Sequence, residues 1–164
     1  MLPAMRVGVG YDSHRFAEGR PLVLGGVRVP HDKGLAGHSD ADAVSHAITD
    51  ALLGAANLGD IGKLFPDGDP RWKGADSLMM LRSAVERIHA AGFLVGNVDV
   101  VVVCERPKIG PHAEAMRATL APVLDVPPEA ISIKGKTNEG MDATGRGEGV
   151  VVHAVAAIAR APAA

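Results

Sequence analysis

A chain of 164 residues, 47% of them apolar, is long enough to bury one core and is most simply a single domain spanning 1–164. Its net charge of −2 offers no basic excess for a nucleic-acid backbone, and no apolar run approaches the ~20 residues of a membrane span. The one cysteine, Cys104, excludes an internal disulfide framework and a zinc site built from several thiolates, and it fits a reducing, cytoplasmic setting. Aromatic residues are only 3%, so the core must be packed with Val, Leu, Ile and Ala. The opening Met-Leu-Pro-Ala is too short and too uncharged for a signal peptide, and the expected original start is Met5.

Residues 5–11 read as a strand, with Met5, Val7 and Val9 on one face and Arg6 and small glycines on the other. Leu22–Leu24 and Val27–Val29 flank Gly25-Gly26, a hairpin signal. A glycine-punctuated loop leads to a helix of about 15 residues, capped by Asp40 or Asp42. Along it Ala47, Ala51 and Ala55 share one face, while Asp42, His46 and Asp50 recur on another. The stretch from Gly59 to Asp76, dense in Gly, Pro and Asp, is expected to be loop. A second helix runs from about Ser77 to Ala91 and stops on Gly92. The Val100–Val103 run is apolar on both faces and reads as a strand covered on both sides. A third helix begins after Gly110-Pro111 and fades near Pro122. Two strands, ISIKGKT and GVVVHAVAAIAR, complete the chain.

This order implies an α/β fold of the α+β, ferredoxin-like kind: a mixed sheet of four to five strands with helices on one face. Three helices leave the other face uncovered. A Val-, Ile- and Ala-rich face without a cover points to burial against sister subunits in a ring-shaped oligomer.

The chemistry-bearing pattern is Asp12-Ser13-His14 at the end of the first strand. Residues two apart in a strand point the same way, so Asp12 and His14 share a face. With His46 from the following helix they make three ligands for a divalent metal with a fourth position open, the mark of a site that handles substrate. An isolated Asp-X-His is more often a turn beside a satisfied histidine. Here it is accompanied by loops unusually dense in Asp, His, Glu and Gly.

Other motifs carry less. Gly8-Val9-Gly10 lacks the third glycine and the helix of a dinucleotide fingerprint. Lys134-Gly135-Lys136-Thr137 lacks the earlier glycine and following helix of a P-loop, although a strand end so rich in donors suits a phosphate contact. The His38-Ser39-Asp40 cluster is either a helix cap beside a surface histidine or part of a site. Asp67 and Asp69 are by default turn carboxylates, and Glu139 is either a second metal ligand or a loop charge. Arg146, in a glycine turn, can fork around a phosphate or a carboxylate.

Taken in order, GYDSHRF, LAGHSDADAVSHAITDALLGAANLGDIGKLFPDGDP, ERPKIGPH and KTNEG…TGRGEG resemble the 2-C-methyl-D-erythritol 2,4-cyclodiphosphate synthase family of the non-mevalonate isoprenoid pathway, over Met5 to Arg160. The resemblance implies a homotrimer with active sites between neighbouring subunits, one zinc per site on Asp12, His14 and His46, and a magnesium or manganese ion on Glu139 shared with the diphosphate of the substrate. It places His38 and Ser39 in a loop over the substrate, with His38 and Thr137 polarising phosphate as the catalytic pair. Asp60, Ile61, Gly62, Phe65, Pro66, Asp67, Gly68 and Asp69 would line the erythritol side. Cys104, Pro107, Lys108, Ile109, Gly110, Lys136, Thr137, Asn138 and Glu139 would line the cytidine and phosphate side, with Ala143 and Arg146 nearby. Two departures concern substrate grip rather than metal. Asp142-Ala143 stands where the family often has an aromatic residue, and Gly135-Lys136 where hydroxyl or small residues are common.

The implied substrate carries its own nucleophile, a 2-phosphate that attacks the β-phosphorus and expels CMP, so no protein nucleophile is required. Two other readings use the same residues. A metal-dependent phosphohydrolase would activate water at the open metal position, with His38 as base. A carrier or structural trimer would close the metal with a fourth ligand, for which no Cys or His stands near the three.

Overall fold

The computed structural model of the chain describes residues 5–66 and 68–162. The first strand, β1 (Met5–Ala17), is longer than the sequence suggests. It pairs antiparallel with the last strand, β7 (Gly149–Arg160), and the register runs without interruption from Met5↔Ala159 to Arg15↔Gly149. Asp12 and His14 therefore lie opposite Val152 and Val150 within the ladder, not at its end. The β-branched run of β7 extends the pairing past the point where the hydrophobic alternation of β1 stops.

Between these strands the chain builds a short hairpin, β2 (Leu22–Leu24) and β3 (Val27–Val29). Gly25 and Gly26 both take positive φ there, as a two-residue hairpin turn demands. A two-residue strand absent from the sequence reading, β4 (Gly34–Leu35), pairs with the end of β1.

Helix α1 (Ala43–Ala56) is capped by Asp42, not Asp40. The Asp42 carboxylate is fully buried and accepts from Val44 N, Ser45 N, Ser45 Oγ, Gly25 N and Gly26 N. One side chain thus starts the helix and fastens the hairpin turn to it. The stripe of Ala47, Ala51 and Ala55 lies on β1, where Gly8 and Gly10 face it. A Cβ on Gly8 would overlap the carbonyl oxygen of Ala51, and one on Gly10 that of Ala47. The two glycines rejected as a nucleotide fingerprint are what bring α1 onto the sheet.

The segment expected to be loop contains the one-turn helix α2 (Ile61–Leu64), capped by Asp60, and a 3-10 turn over Pro70–Trp72, capped by Asp69. Helix α3 (Ser77–Ala90) is followed by Gly92 at φ +80, the stop its sequence signals. Strand β5 (Phe93–Val103) pairs antiparallel with β7 and parallel with β6 (Ile131–Lys136). Helix α4 (Ala113–Leu124) continues through Pro122 instead of fading there. A proline two residues from a helix end removes only one intrahelical bond, and the buried Val123 and Leu124 hold the last turn down. One further turn, α5 (Asp142–Gly145), precedes β7.

The result is an α+β arrangement with a five-stranded mixed sheet in the order β4-β1-β7-β5-β6. The long helices cover one face, and the alternating residues Val150, Val152, Ala154, Ala156 and Ile158 of β7 are buried beneath them. On the opposite face Met5, Val7, Val9, Tyr11 and Val155 stand 42–70% exposed. Even within Val100–Val103 only Val100 and Val102 are fully covered; the side chains between them face the open side.

Candidate metal centre

The even-numbered face of β1 passes beneath α1, so Gly8, Gly10, Asp12 and His14 point toward the helix in succession. Past the glycines the gap between strand and helix is filled by functional side chains. Asp12 Oδ2 lies 2.9 Å from His14 Nε2 and 3.2 Å from His46 Nδ1, and the two ring nitrogens are 3.4 Å apart. One donor atom from each residue falls within 4.8 Å of the others. Burial works against the charge on Asp12, but hydrogen bonds and charge from His14 and His46 outweigh it and hold the carboxyl below its ordinary value. His14 is raised in turn: burial opposes its charged form, and the bond and charge of Asp12 prevail.

Each imidazole has its remaining nitrogen occupied. His14 Nδ1 is 2.6 Å from the Ala36 carbonyl, which can only accept, so Nδ1 carries the proton and Nε2 is left as donor to a metal. His46 Nε2 is 2.9 Å from Ser77 Oγ and 3.2 Å from Ser39 Oγ, which leaves Nδ1 for the cluster. Two imidazole nitrogens and a carboxylate oxygen are the donor set of an open divalent-metal site.

The three donors face a cavity of about 190 Å³ together with His38, Ser39, Ile61, Gly62, Phe65, Trp72 and Met80. His38 is exposed at its rim, while Ser39 is buried with its hydroxyl toward His46 and Ser77. Arg20 donates to the carbonyls of Gly37 at 2.6 Å and Ser39 at 2.5 Å, clamping this loop from outside. Asp60, Pro66, Gly68 and Asp69 do not line the cavity. Asp60 accepts from Lys63 N and Asp69 is paired with Arg71, while Asp67 lies outside the described residues. Asp50 accepts from Ile61 N at 2.7 Å and so positions α2.

The second group of sequence-nominated residues assembles elsewhere. Cys104, Pro107, Lys108, Ile109, Gly110, Lys136 and Thr137 line a separate cavity of about 390 Å³ at the parallel ends of β5 and β6. Gly135 is packed against Ile109, where a Cβ would come within 2.8 Å of the isoleucine Cβ. Thr137 donates to Glu139 at 2.8 Å, and Asn138 N donates to Glu105. Glu139 is not part of the Asp12 cluster within the chain. Ala143 lines a third cavity on the open side of the sheet, and Arg146 is paired with Glu148 at 2.7 Å.

Sequence reasoning missed Trp72, Met80, Ser77 and Arg20. Trp72 stacks edge-on against Phe65, with ring centroids 4.8 Å apart, but lies in a stretch whose composition reads only as loop. Ser77, at the start of a helix, looks like a cap, although Asp76 performs that task.

Fold and site together define a small mixed-sheet protein carrying a three-donor site for a divalent metal. The chain belongs to the YgbB family, whose model matches residues 5–159. It is 60% identical over 154 residues to the 2-C-methyl-D-erythritol 2,4-cyclodiphosphate synthase of Gemmatimonas aurantiaca, covering 94% of this chain and 93% of that one. Among solved structures, a 2C-methyl-D-erythritol-2,4-cyclodiphosphate synthase in its CDP-bound form superposes with a TM-score of 0.85 at 44% identity, over 93% of this chain and 99% of that chain. The bifunctional IspDF from Campylobacter jejuni superposes at 0.93 with 39% identity, over 96% of this chain and 43% of that longer one.

Proposed function

We propose that this chain closes 4-diphosphocytidyl-2-C-methyl-D-erythritol 2-phosphate into 2-C-methyl-D-erythritol 2,4-cyclodiphosphate with release of CMP, as a phosphorus–oxygen lyase of non-mevalonate isoprenoid synthesis. The observation that carries the reading is the Asp12–His14–His46 cluster, opening onto a cavity rimmed by His38. The attacking 2-phosphate and the leaving CMP belong to one substrate, so the protein must supply alignment and charge neutralisation, not a nucleophile. Holding both phosphates in an attacking pose contributes on the order of 7–11 kcal/mol in favourable systems.

The residues divide this work. Asp12, His14 and His46 would hold a zinc ion, which when bound withdraws charge from phosphate oxygens. His38, exposed above the cavity, donates to phosphate, and Ile61, Gly62 and Phe65 enclose the erythritol. The cavity at Cys104, Pro107 to Gly110 and Lys136 suits the cytidine and its phosphates, with Thr137 as a further donor. Glu139, next to Thr137, would take a magnesium or manganese ion together with the diphosphate. The two cavities are separate within one chain, which supports a homotrimer in which each site draws on two neighbouring subunits. The exposed apolar side of the sheet is the surface such an assembly would bury. A single domain spanning 1–164, working in the cytoplasm, completes the proposal; among the described residues no helix is long and apolar enough to cross a membrane.

Phosphorus NMR of the reaction with the cytidyl substrate tests it directly. The expected products are the cyclic diphosphate and CMP in equal amounts. Release of inorganic phosphate would assign a hydrolase instead, and no turnover with zinc and magnesium present would reject the activity.

A further inference from the structure

The side of His46 that faces away from the metal cluster is backed by a chain of polar groups. Ser77 is fully buried, and its hydroxyl lies 2.9 Å from His46 Nε2. That hydroxyl also makes a short bond to the Asp40 carboxylate, and Ser77 N donates to the other Asp40 oxygen at 3.2 Å. A carboxylate can only accept, so Ser77 gives its single proton to Asp40 and presents lone pairs to the imidazole. Neither residue is needed as a helix cap, because Asp42 caps α1 and Asp76 caps α3.

We propose that Asp40 and Ser77 form a relay that positions His46, fixing its proton on Nε2 and turning the Nδ1 lone pair toward the metal. The inference rests on the metal reading above and adds two positioning residues to it. A carboxylate behind a ligand imidazole orients the ring and strengthens it as a donor, and loss of such a partner typically lowers metal affinity about 10–100-fold. Here a serine hydroxyl stands between carboxylate and ring. The relay also joins three elements: Asp40 belongs to the loop carrying His38, Ser77 to α3 and His46 to α1. Ser39, 3.2 Å from the same nitrogen, is a reserve acceptor.

Zinc affinity, measured by competition with a chromophoric chelator on the full chain, tests the relay without reference to turnover. Ser77→Ala and Asp40→Asn are expected to lose about tenfold or more, and Ser39→Ala/Ser77→Ala about 100-fold. Ser77→Thr, which keeps the hydroxyl, should stay within about threefold of wild type. The melting temperature of each zinc-free variant, taken alongside, separates a loss of metal affinity from a loss of fold. A double variant that binds zinc within threefold of wild type overturns the relay and leaves the metal site standing. Absence of zinc binding by the wild type rejects the metal reading itself.

Discussion

Gly10 in β1 faces the carbonyl oxygen of Ala47 in α1 so closely that a Cβ at position 10 would overlap it. The next residue on the same side of β1 is Asp12, and the residue before Ala47 is His46, so this contact sets the distance between two of the three metal donors. Gly10→Ala should push α1 off the sheet. The expected loss of stability is about 1–3 kcal/mol by urea unfolding, together with weakened zinc binding. Wild-type stability and zinc affinity in this variant would show that the helix can shift without cost.

The two proposed metals should fail differently. His46→Ala is expected to abolish tight zinc binding while the folded chain persists, measured by metal content after dialysis. Glu139→Gln should keep its zinc and lose turnover, and added magnesium should restore part of it, because a hard ion held by one carboxylate takes most of its ligands from substrate phosphates. Magnesium should not restore His14→Ala. Unchanged magnesium dependence in Glu139→Gln would reduce Glu139 to the hydrogen-bond partner of Thr137.

Burial, aided by the negative charge of Glu105, pushes the Cys104 thiol up from an ordinary 9.0 to about 11. At pH 8 it should therefore react with iodoacetamide about 100-fold more slowly than a free thiol, and at the ordinary rate once unfolded. The same shift has a consequence for stability. Between about 9 and 11 the folded chain holds a proton that the unfolded chain releases, so this contribution to stability is present below about pH 9 and declines as pH rises through that window. Fast alkylation of the native protein at pH 8 would contradict the burial.

Val9 stands 70% exposed on the open apolar side of the sheet. If that surface is buried between subunits, Val9→Lys should give a monomer by sedimentation and abolish turnover, with little change in the helix-covered core. A wild-type chain that sediments as an active monomer at all concentrations would remove the trimer from the proposal.

Two of the three candidate metal donors were legible in the sequence because their geometry is local. Asp12 and His14 are two apart in a strand, and a period of two admits no other relative orientation. His46 was readable from its place on a polar helical stripe with Asp42 and Asp50. Of its neighbours on that stripe, Asp42 is the helix cap, one of the two expected, and is buried beneath the hairpin, while Asp50 reaches Ile61. The hairpin turn at Gly25-Gly26 and the helix stop at Gly92 were equally readable, because each depends on the φ angle of a glycine.

What needed the folded chain was every relationship between distant segments. Ser77 and Asp40 lie 37 positions apart, and nothing in either neighbourhood distinguishes a helix-starting serine from a relay. Gly8 and Gly10 mark a close approach without naming Ala51 and Ala47 as what approaches. The sequence by itself determined the shared face of Asp12 and His14, the turns and the apolar stripes, since backbone periodicity and φ preference act within a few residues. Only the tertiary structure decided which carboxylate caps, which one backs a histidine and which cavity each loop lines. Hydrogen-bond partners are chosen by distance in space, and for buried polar groups that distance exists only after the sheet and helices have closed on one another.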